Sequence, residues 1–188
     1  IYPKGDLDCS VEVIDEEAER LEKRIKNLLF ITKLDYLNAN DISKQNFSLD
    51  NLIKDVVDRL SWSRTDIDWQ LELPNTDIYG DLEQWRVVIE NLLDNQMRYA
   101  KGAILISITS KNDNILLRFW NDGPSIEPKV LDSLFSKFNK GEKGEFGLGL
   151  AIVYRIVALH HAKIWARNED VGVSFYVEIP KVVGVRLE

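Results

Sequence analysis

The N-terminal part of the chain carries an apolar stripe with helical spacing. Between residues 8 and 38, apolar side chains recur at steps of three and four, which places them on one face of a helix. They are Val11, Ile14, Ala18, Leu21, Ile25, Leu28 and Leu29. Because the stripe lasts about three heptads, pairing with other helices is the favoured interpretation, and a single amphipathic helix packed on its own domain is the alternative. Residues 38–43 have the composition of a linker.

Helical and alternating patterns follow one another in the next part of the chain. Ser48 is a suitable N-cap for a helix over 49–60, and Asp81 for a longer helix over 82–100. Between them, apolar and polar residues alternate and predict a half-buried strand that Pro74 ends, followed by a second, short strand. The apolar positions of these strands are Ile67, Trp69, Leu71 and Leu73, then Ile78 and Tyr79.

The remaining patterns predict two hairpins with a helix between them. The strands are predicted at 103–109, 115–120, 164–166 and 173–179, and the helix at 148–160. The whole pattern predicts an α+β fold, a two-layer sandwich with helices on one face of a mixed, mostly antiparallel sheet. We assign residues 44–188 to this domain and residues 1–43 to a truncated helical region with its linker.

Composition and charge narrow the class of protein. The 188 residues are 45% hydrophobic, with five Trp and seven Phe, which supports a packed core. The net charge of −7 argues against a nucleic-acid partner, which needs a basic face. Cys9 is the only cysteine, so an intrachain disulfide and a cysteine-based zinc site are excluded. With no long apolar run, we expect a soluble, cytoplasmic chain, and its start at Ile1 without Met suggests a fragment of something longer.

Candidate chemistry first appears on the helix predicted after Asp81. Asn91 and Asn95 are one turn apart, and Arg98 and Tyr99 continue the same face. Two amide oxygens on one face can order Mg²⁺ and its waters between phosphates, and Arg98 can pair with a phosphate. Tyr99 can stack on or rim a base. The alternative is a solvated polar face.

Two further segments suit a nucleotide. Asn121, Asp122 and Gly123 follow a strand, where an oxygen can accept the exocyclic N–H of adenine while glycine lets the backbone approach; an ordinary turn is the alternative. The glycine-rich segment 141–149 leads into a helix, whose N-terminal N–H groups bind anions, and Lys140 and Lys143 add positive charge. Here the alternative is a flexible loop before a helix.

Together, these segments resemble the ATP-binding domain of sensor histidine kinases, in the superfamily of gyrase, MutL and heat-shock chaperone ATPases. Residues 90–100 are similar to the N box, 121–126 to the G1 box, 134–138 to the F box and 147–150 to the G2 box. The resemblance implies a Bergerat-type fold that binds ATP and Mg²⁺, with Asn95 rather than Asn91 as the preferred direct metal ligand. It also implies nucleotide contacts for Ile126, Phe138, Gly147, Leu148, Gly149 and Leu150.

The resemblance also implies what the rest of such a protein contains. Residues 8–38 resemble the second helix of the dimerisation and histidine-phosphotransfer hairpin, whose first helix carries the phosphoacceptor and is absent here. His160 and His161 are expected to be structural. The implied partners are a response-regulator receiver domain and a second copy in a homodimer. A membrane would be reached only through missing segments of a membrane-bound bacterial receptor, and the chain should bind ATP without autophosphorylation.

Some residues depart from the pattern of the resembled family. Asn121 stands where the family has Asp, Ser125 where it has Gly, and Gln96 where it has a small residue. Which of Asn121 and Asp122 faces adenine therefore stays open. Two alternatives remain beside the kinase. One is an ATPase of the gyrase, MutL or chaperone type, although these carry a Glu base where this chain has Asn91. The other is a degenerate nucleotide-binding interaction module.

Overall fold

A computed structural model describes residues 17–18, 21–22, 25–111, 113–131, 133–136 and 148–181. The helices are α1 (residues 25–36), α2 (Leu49–Ser61), α3 (Leu82–Tyr99), α4 (Pro128–Leu131) and α5 (Gly149–Leu159). The strands are β1 (Gln45–Ser48), β2 (Asp68–Glu72), β3 (Asp77–Gly80), β4 (Ala103–Lys111), β5 (Asn114–Asn121), β6 (Lys163–Asn168) and β7 (Val173–Pro180). The described residues 17–18 and 21–22 are helical as well.

Five strands form one sheet in the order β2-β4-β5-β7-β6. Strand β2 runs parallel to β4, and the other neighbouring pairs are antiparallel. Strands β1 and β3 form a separate antiparallel pair. Helix α3 contacts α2, α5 and β5, so the helices form a layer against the sheet. The predicted α+β class, with a mixed and mostly antiparallel sheet, is confirmed.

Local signals set the ends of the two long helices. The Ser48 hydroxyl accepts a hydrogen bond from the backbone N–H of Asn51 at 3.3 Å, and the Asp81 carboxylate accepts one from Gln84 at 3.1 Å. Each side chain satisfies an N–H group that the first helical turn leaves unpaired. Both predicted N-caps are therefore confirmed.

Strand β2 is less buried than its alternation predicts. Ile67 is buried, but Leu71 is 39% exposed. The reason is the position of β2 at the edge of the sheet, where it has only β4 as a neighbour. An edge strand has a neighbouring strand on one side only, so its side chains are less buried than alternation alone predicts.

The end of α1 packs on the rest of the domain, while the start of its apolar stripe is exposed. Ile31 and Leu34 belong to the same buried apolar cluster as α5. From α5, the Arg155 guanidinium donates to the carbonyl oxygens of Leu34 at 3.1 Å and Leu37 at 2.7 Å. Leu21, Ile25, Leu28 and Leu29 are 48–67% exposed. The last turns of α1 therefore pack on the chain's own domain. Pairing of its exposed stripe with other helices stays a prediction. The domain boundary at residue 43 stays a prediction as well.

No helix in the described ranges combines the length and the apolar character needed to cross a membrane.

His160 joins the end of α5 to the start of α3. Its Nε2 accepts the backbone N–H of Asp81 at 3.0 Å, and its Nδ1 lies 2.9 Å from the Ile156 carbonyl oxygen. Since an N–H group can only donate, Nε2 is unprotonated and Nδ1 carries the hydrogen. The ring is buried and lies 5.3 Å from that of Trp85, centroid to centroid. His161, the next residue, has a left-handed backbone with φ of 56°.

Burial lowers the pKa of His160, and the hydrogen bond to the Ile156 carbonyl opposes this only in part. The native protein therefore holds the ring neutral at a pH where the unfolded chain, with an ordinary pKa of about 6.5, takes up a proton. This stabilisation is fully present at pH values above the pKa of the histidine in the unfolded chain. It is lost as the pH falls below that value toward the lower native pKa.

We predict that the free energy of unfolding falls between pH 7 and pH 5, with His160 contributing at most about 1.4 kcal/mol per pH unit. Urea unfolding across this range measures it. A His160→Gln variant should be less stable but should show a flatter pH dependence. His161→Asn is the matched control, since Asn tolerates a left-handed backbone, and it should keep the wild-type slope. An unchanged slope in His160→Gln would contradict the assignment.

Candidate functional site

Asn91, the first of the two asparagines of α3, presents its amide oxygen toward the start of α5. The Asn91 amide nitrogen donates to the Val87 carbonyl, one turn back, at 2.8 Å. Its oxygen lies 2.7 Å from the position that a Cβ on Gly149 would occupy, so only glycine leaves room there. The half-buried Asn95 side chain makes no hydrogen bond within the described ranges. One oxygen thus faces α5, and a second is available a turn later.

Arg98 and Tyr99 lie at the end of α3. The Arg98 guanidinium is 3.7 Å from the Asp94 carboxylate and the side chain is 29% exposed, so this ion pair is loose and partly screened. A Cβ on Gly123 would overlap the Tyr99 carbonyl, so backbone meets backbone there. The end of α3 is therefore held against the loop after β5, and the Arg98 side chain can reach an added anion.

Asn121 and Asp122 point in different directions. Alternation along β5 places Asn121 on the helix-facing side with Leu117 and Phe119, and it is 2% exposed. Its Oδ1 accepts the backbone N–H of Gly123 at 2.8 Å, and its Nδ2 donates to Oε1 of Gln96 on α3. Asn121 therefore belongs to the layer between helix and sheet.

Asp122 instead holds the turn after α3. Its Oδ1 accepts the backbone N–H groups of Lys101 at 2.8 Å and Gly102 at 3.1 Å. Burial acts to raise the pKa of this carboxyl, but the backbone hydrogen bonds from Gly102 and Lys101 outweigh it and lower the pKa. The charge of Asp122 is thus committed to the backbone of a turn.

The start of α5 has anion-binding character. The helix begins at Gly149 after the buried Leu148, and Leu148, the N-cap residue, provides no side-chain hydrogen bond to the first turn. Uncapped N–H groups at a helix N-terminus carry partial positive charge and attract phosphate. The half-buried Leu150 is in the first turn. The position of these three residues fits the nucleotide contacts that the resemblance implies, and those contacts stay a prediction.

The loop after β5 is fixed by a residue that the sequence analysis missed. The Asn168 side chain accepts the backbone N–H of Ile126 and donates to the Ile126 carbonyl, both at 2.8 Å. Asn168 ends a strand, and nothing in its local sequence distinguishes it from a turn residue.

Phe135, the first aromatic residue of the F-box-like segment, packs against two other aromatic rings. Its ring centroid is 6.2 Å from that of Tyr154, in a stacked arrangement, and 6.4 Å from that of Phe175, edge-on.

Part of the segment from the F-box-like residues to the start of α5, called the lid from here on, is outside the described residues. Phe138, Lys140, Lys143 and Gly147 fall in that part of the chain. In the described part, α3 meets each of the other segments: Asn91 with Gly149, Gln96 with Asn121, and Tyr99 with Gly123. Gln96 stands out in the sequence only as a departure from the family pattern, and no local signal predicts its hydrogen bond to Asn121. Segments that are distant in sequence thus converge on one helix.

The available donors suit a nucleotide with a hard cation. Among the residues that the structure describes, there is no group of three His, Cys, Asp or Glu that could hold a metal ion. Asn91 and Asn95 offer amide oxygens, which Mg²⁺ accepts alongside phosphate oxygens. The close approach of Gly149 to Asn91 brings an uncapped helix start beside these oxygens. The donor set therefore fits Mg²⁺ carried by phosphates rather than a metal held by the protein alone.

Comparison with known proteins agrees with this geometry. A sequence profile of the family described as histidine kinase-, DNA gyrase B-, and HSP90-like ATPase matches residues 80–183. Sensor histidine kinase CssS of Bacillus subtilis (strain 168) is 46% identical over 182 residues, covering 96% of this chain and 40% of CssS. The catalytic domain of histidine kinase ThkA superposes with a TM-score of 0.69 at 29% identity, over 74% of this chain and 97% of that one.

A larger structure extends the likeness to α1. Histidine kinase ThkA, solved in complex with response regulator protein TrrA, matches with a TM-score of 0.78 at 25% identity. That match covers 97% of this chain and 53% of the ThkA chain. This chain thus spans about 40% of the length of CssS and about half of that ThkA chain. The chain belongs to the histidine kinase-, DNA gyrase B- and HSP90-like ATPase family, and within it corresponds to the catalytic ATP-binding domain of two-component sensor histidine kinases.

Proposed function

We propose that this chain binds Mg·ATP and presents the γ-phosphoryl group to a histidine on a helix outside these 188 residues. The observation that carries the proposal is the convergence on α3 of the loop after β5 and the start of α5. Base-binding and phosphate-binding segments meet there on one rigid element. Such a site promotes transfer mainly by positioning the phosphoryl group and neutralising its charge.

Asn121 is the proposed acceptor for the exocyclic N–H of adenine. Its burial between α3 and the sheet supports this role, whereas one oxygen of Asp122, Oδ1, already accepts two backbone N–H groups of a turn. Gly123 lets the backbone approach the ring, and Tyr99 and Ile126 border it. A neutral amide accepts a weaker hydrogen bond than a carboxylate. Other contacts to the base therefore have to contribute more of the binding free energy.

The phosphates belong on the same helix face, toward the start of α5. Asn95 is the proposed direct Mg²⁺ ligand, with Asn91 beside it. These two residues would hold the Mg²⁺, which would supply positive charge against the phosphates. Arg98 pairs with a phosphate, and Lys140 and Lys143 supply charge from the lid. The uncapped start of α5 at Gly149, together with Gly147, supplies backbone N–H groups.

The acceptor histidine, the second subunit and the regulator lie outside the chain. His160 is unsuitable as an acceptor because it is buried and both ring nitrogens are hydrogen-bonded. The exposed start of the α1 stripe supports a homodimeric bundle, with residues 1–43 as part of its hairpin and 44–188 as the catalytic domain. The ThkA complex with TrrA supports a response-regulator receiver domain as the next acceptor. Any membrane attachment would come from other segments.

A hydrolytic ATPase is the main alternative, and one contact speaks against it. Hydrolysis needs a general base near the γ-phosphate. Glu90 is the nearest carboxylate in sequence to Asn91, but it forms an ion pair with Arg59 of α2. This pairing directs Glu90 toward α2 rather than toward the start of α5. The degenerate interaction module remains the interpretation to adopt if no nucleotide binds.

Mg²⁺ should strengthen nucleotide binding through Asn95. We predict that removing Mg²⁺ weakens ADP binding about tenfold or more, and that Asn95→Ala binds ADP as the Mg²⁺-free wild type does. Calorimetric titration with and without Mg²⁺ measures both. Asn51→Ala, the same change on the exposed side of α2, should leave binding and its Mg²⁺ dependence unchanged. Full Mg²⁺ dependence in Asn95→Ala would rule out the proposed ligand.

A Cβ at Gly149 should damage the site without unfolding the protein. Gly149→Ala puts a methyl group within 2.7 Å of the Asn91 oxygen, so that side chain must move. We expect about tenfold weaker Mg·ADP binding, equivalent to about 1.4 kcal/mol, with little change in melting temperature. Gly102→Ala is the control, because the nearest atom to its new Cβ is 3.8 Å away. Equal affinities in both variants would contradict the role of this contact.

The chain alone should not phosphorylate itself. With γ-labelled ATP, we expect no acid-labile phosphohistidine on these residues, because the acceptor is on another segment. Label should appear when the preceding hairpin of the proposed full-length kinase is added. Rapid ATP hydrolysis by the chain alone would instead support the ATPase alternative.

A further inference from the structure

We infer that Gln96 is a second residue that reads the nucleobase, donating from its amide nitrogen to N1 of adenine beside Asn121. This inference rests on the proposed function, because it assumes that a base enters next to Asn121. The resembled family has a small residue at this position, so a role for Gln96 would be a property of this chain.

Chemistry fixes the orientation of both amides. The backbone N–H of Gly123 can only donate, so the Asn121 atom 2.8 Å from it is the oxygen. The other Asn121 atom is then the nitrogen, which also can only donate. The Gln96 atom that it meets must therefore be Oε1. Nε2 of Gln96 is the atom left over, and the usual ambiguity of amide flips does not arise.

Nε2 of Gln96 is a buried donor without a partner in the described part of the chain. The residue is 0% exposed. A buried N–H group left unpaired costs stability, which a well-packed leucine or alanine would avoid. On the partner amide, the Asn121 oxygen accepts only the Gly123 N–H within the described ranges, and a carbonyl oxygen can accept twice. An available acceptor and an available donor thus belong to two amides that are hydrogen-bonded to each other.

This pair matches the edge of adenine. Adenine presents an N6 amino donor directly beside the N1 acceptor, as a side-chain amide presents its nitrogen beside its oxygen. With N6–H donated to Asn121, N1 faces the Gln96 donor. Guanine in the same position would set its O6 acceptor against the Asn121 oxygen. Two neutral amides therefore do what a single carboxylate cannot, because a carboxylate offers no donor for N1.

The test changes one atom of the ligand and one side chain of the protein. Binding of Mg·ADP is compared with that of Mg·1-deaza-ADP, in which N1 is replaced by C–H. Wild type should bind the 1-deaza ligand about three- to tenfold more weakly, the range expected for one hydrogen bond. Gln96→Leu should bind both ligands equally. 7-Deaza-ADP, altered at another edge of the ring, should bind wild type as ADP does.

Gln84→Leu is the matched control, since Gln84 is near the other end of α3, and it should discriminate as wild type does. Thermal unfolding checks that each variant folds, and Gln96→Met replaces Gln96→Leu if that variant does not. Equal wild-type affinity for ADP and 1-deaza-ADP would overturn the role of Gln96 and leave the proposed function standing. Undiminished discrimination in the Gln96 variant would also overturn it. Failure of wild type to bind ADP at all would overturn the proposed function itself.

Discussion

The packing of α3 on the sheet is the interaction from which the rest of the site follows. Its apolar face is fully buried, through Trp85, Val88, Ile89, Leu92 and Leu93. Turning the helix about its axis would expose this face and cost several kcal/mol for each large side chain removed from the core. The rotation of α3 is therefore fixed, and with it the direction of Asn91 and Asn95. The polar chemistry is positioned by apolar packing on the other side of the same helix.

The site is built mainly from neutral groups in an acidic chain. The protein carries a net charge of −7, and an added carboxylate near triphosphate would oppose binding. Asn91, Asn95, Gln96 and Asn121 provide oxygen and nitrogen atoms without adding charge. Asp122, the carboxylate next in line, directs its charge to the backbone of a turn. These four side chains thus add no negative charge to the proposed phosphate site.

Features set by neighbouring residues were predictable from the sequence, whereas contacts between distant segments were not. The caps at Ser48 and Asp81 depend on a spacing of three residues, and alternation along β5 puts Asn121 on the same side as Leu117 and Phe119. By contrast, three contacts join residues 25, 42 and 121 positions apart, and no local pattern records them because they depend on how whole elements pack. These contacts are Gln96 with Asn121, Asn168 with Ile126, and Arg155 with Leu34. The exposure of Leu71 was missed for a related reason, since strand order in the sheet is a global property.

The turn between β6 and β7 contains a glycine whose substitution would affect the end of β5. Gly172 has a left-handed φ of 82°, and a Cβ there would overlap the Asn121 carbonyl. Asn121 is thus seated against a residue from a later turn of the chain that contributes no side chain. A substitution at Gly172 lies in a turn between two strands, yet it would act on the proposed base-binding site by displacing the end of β5.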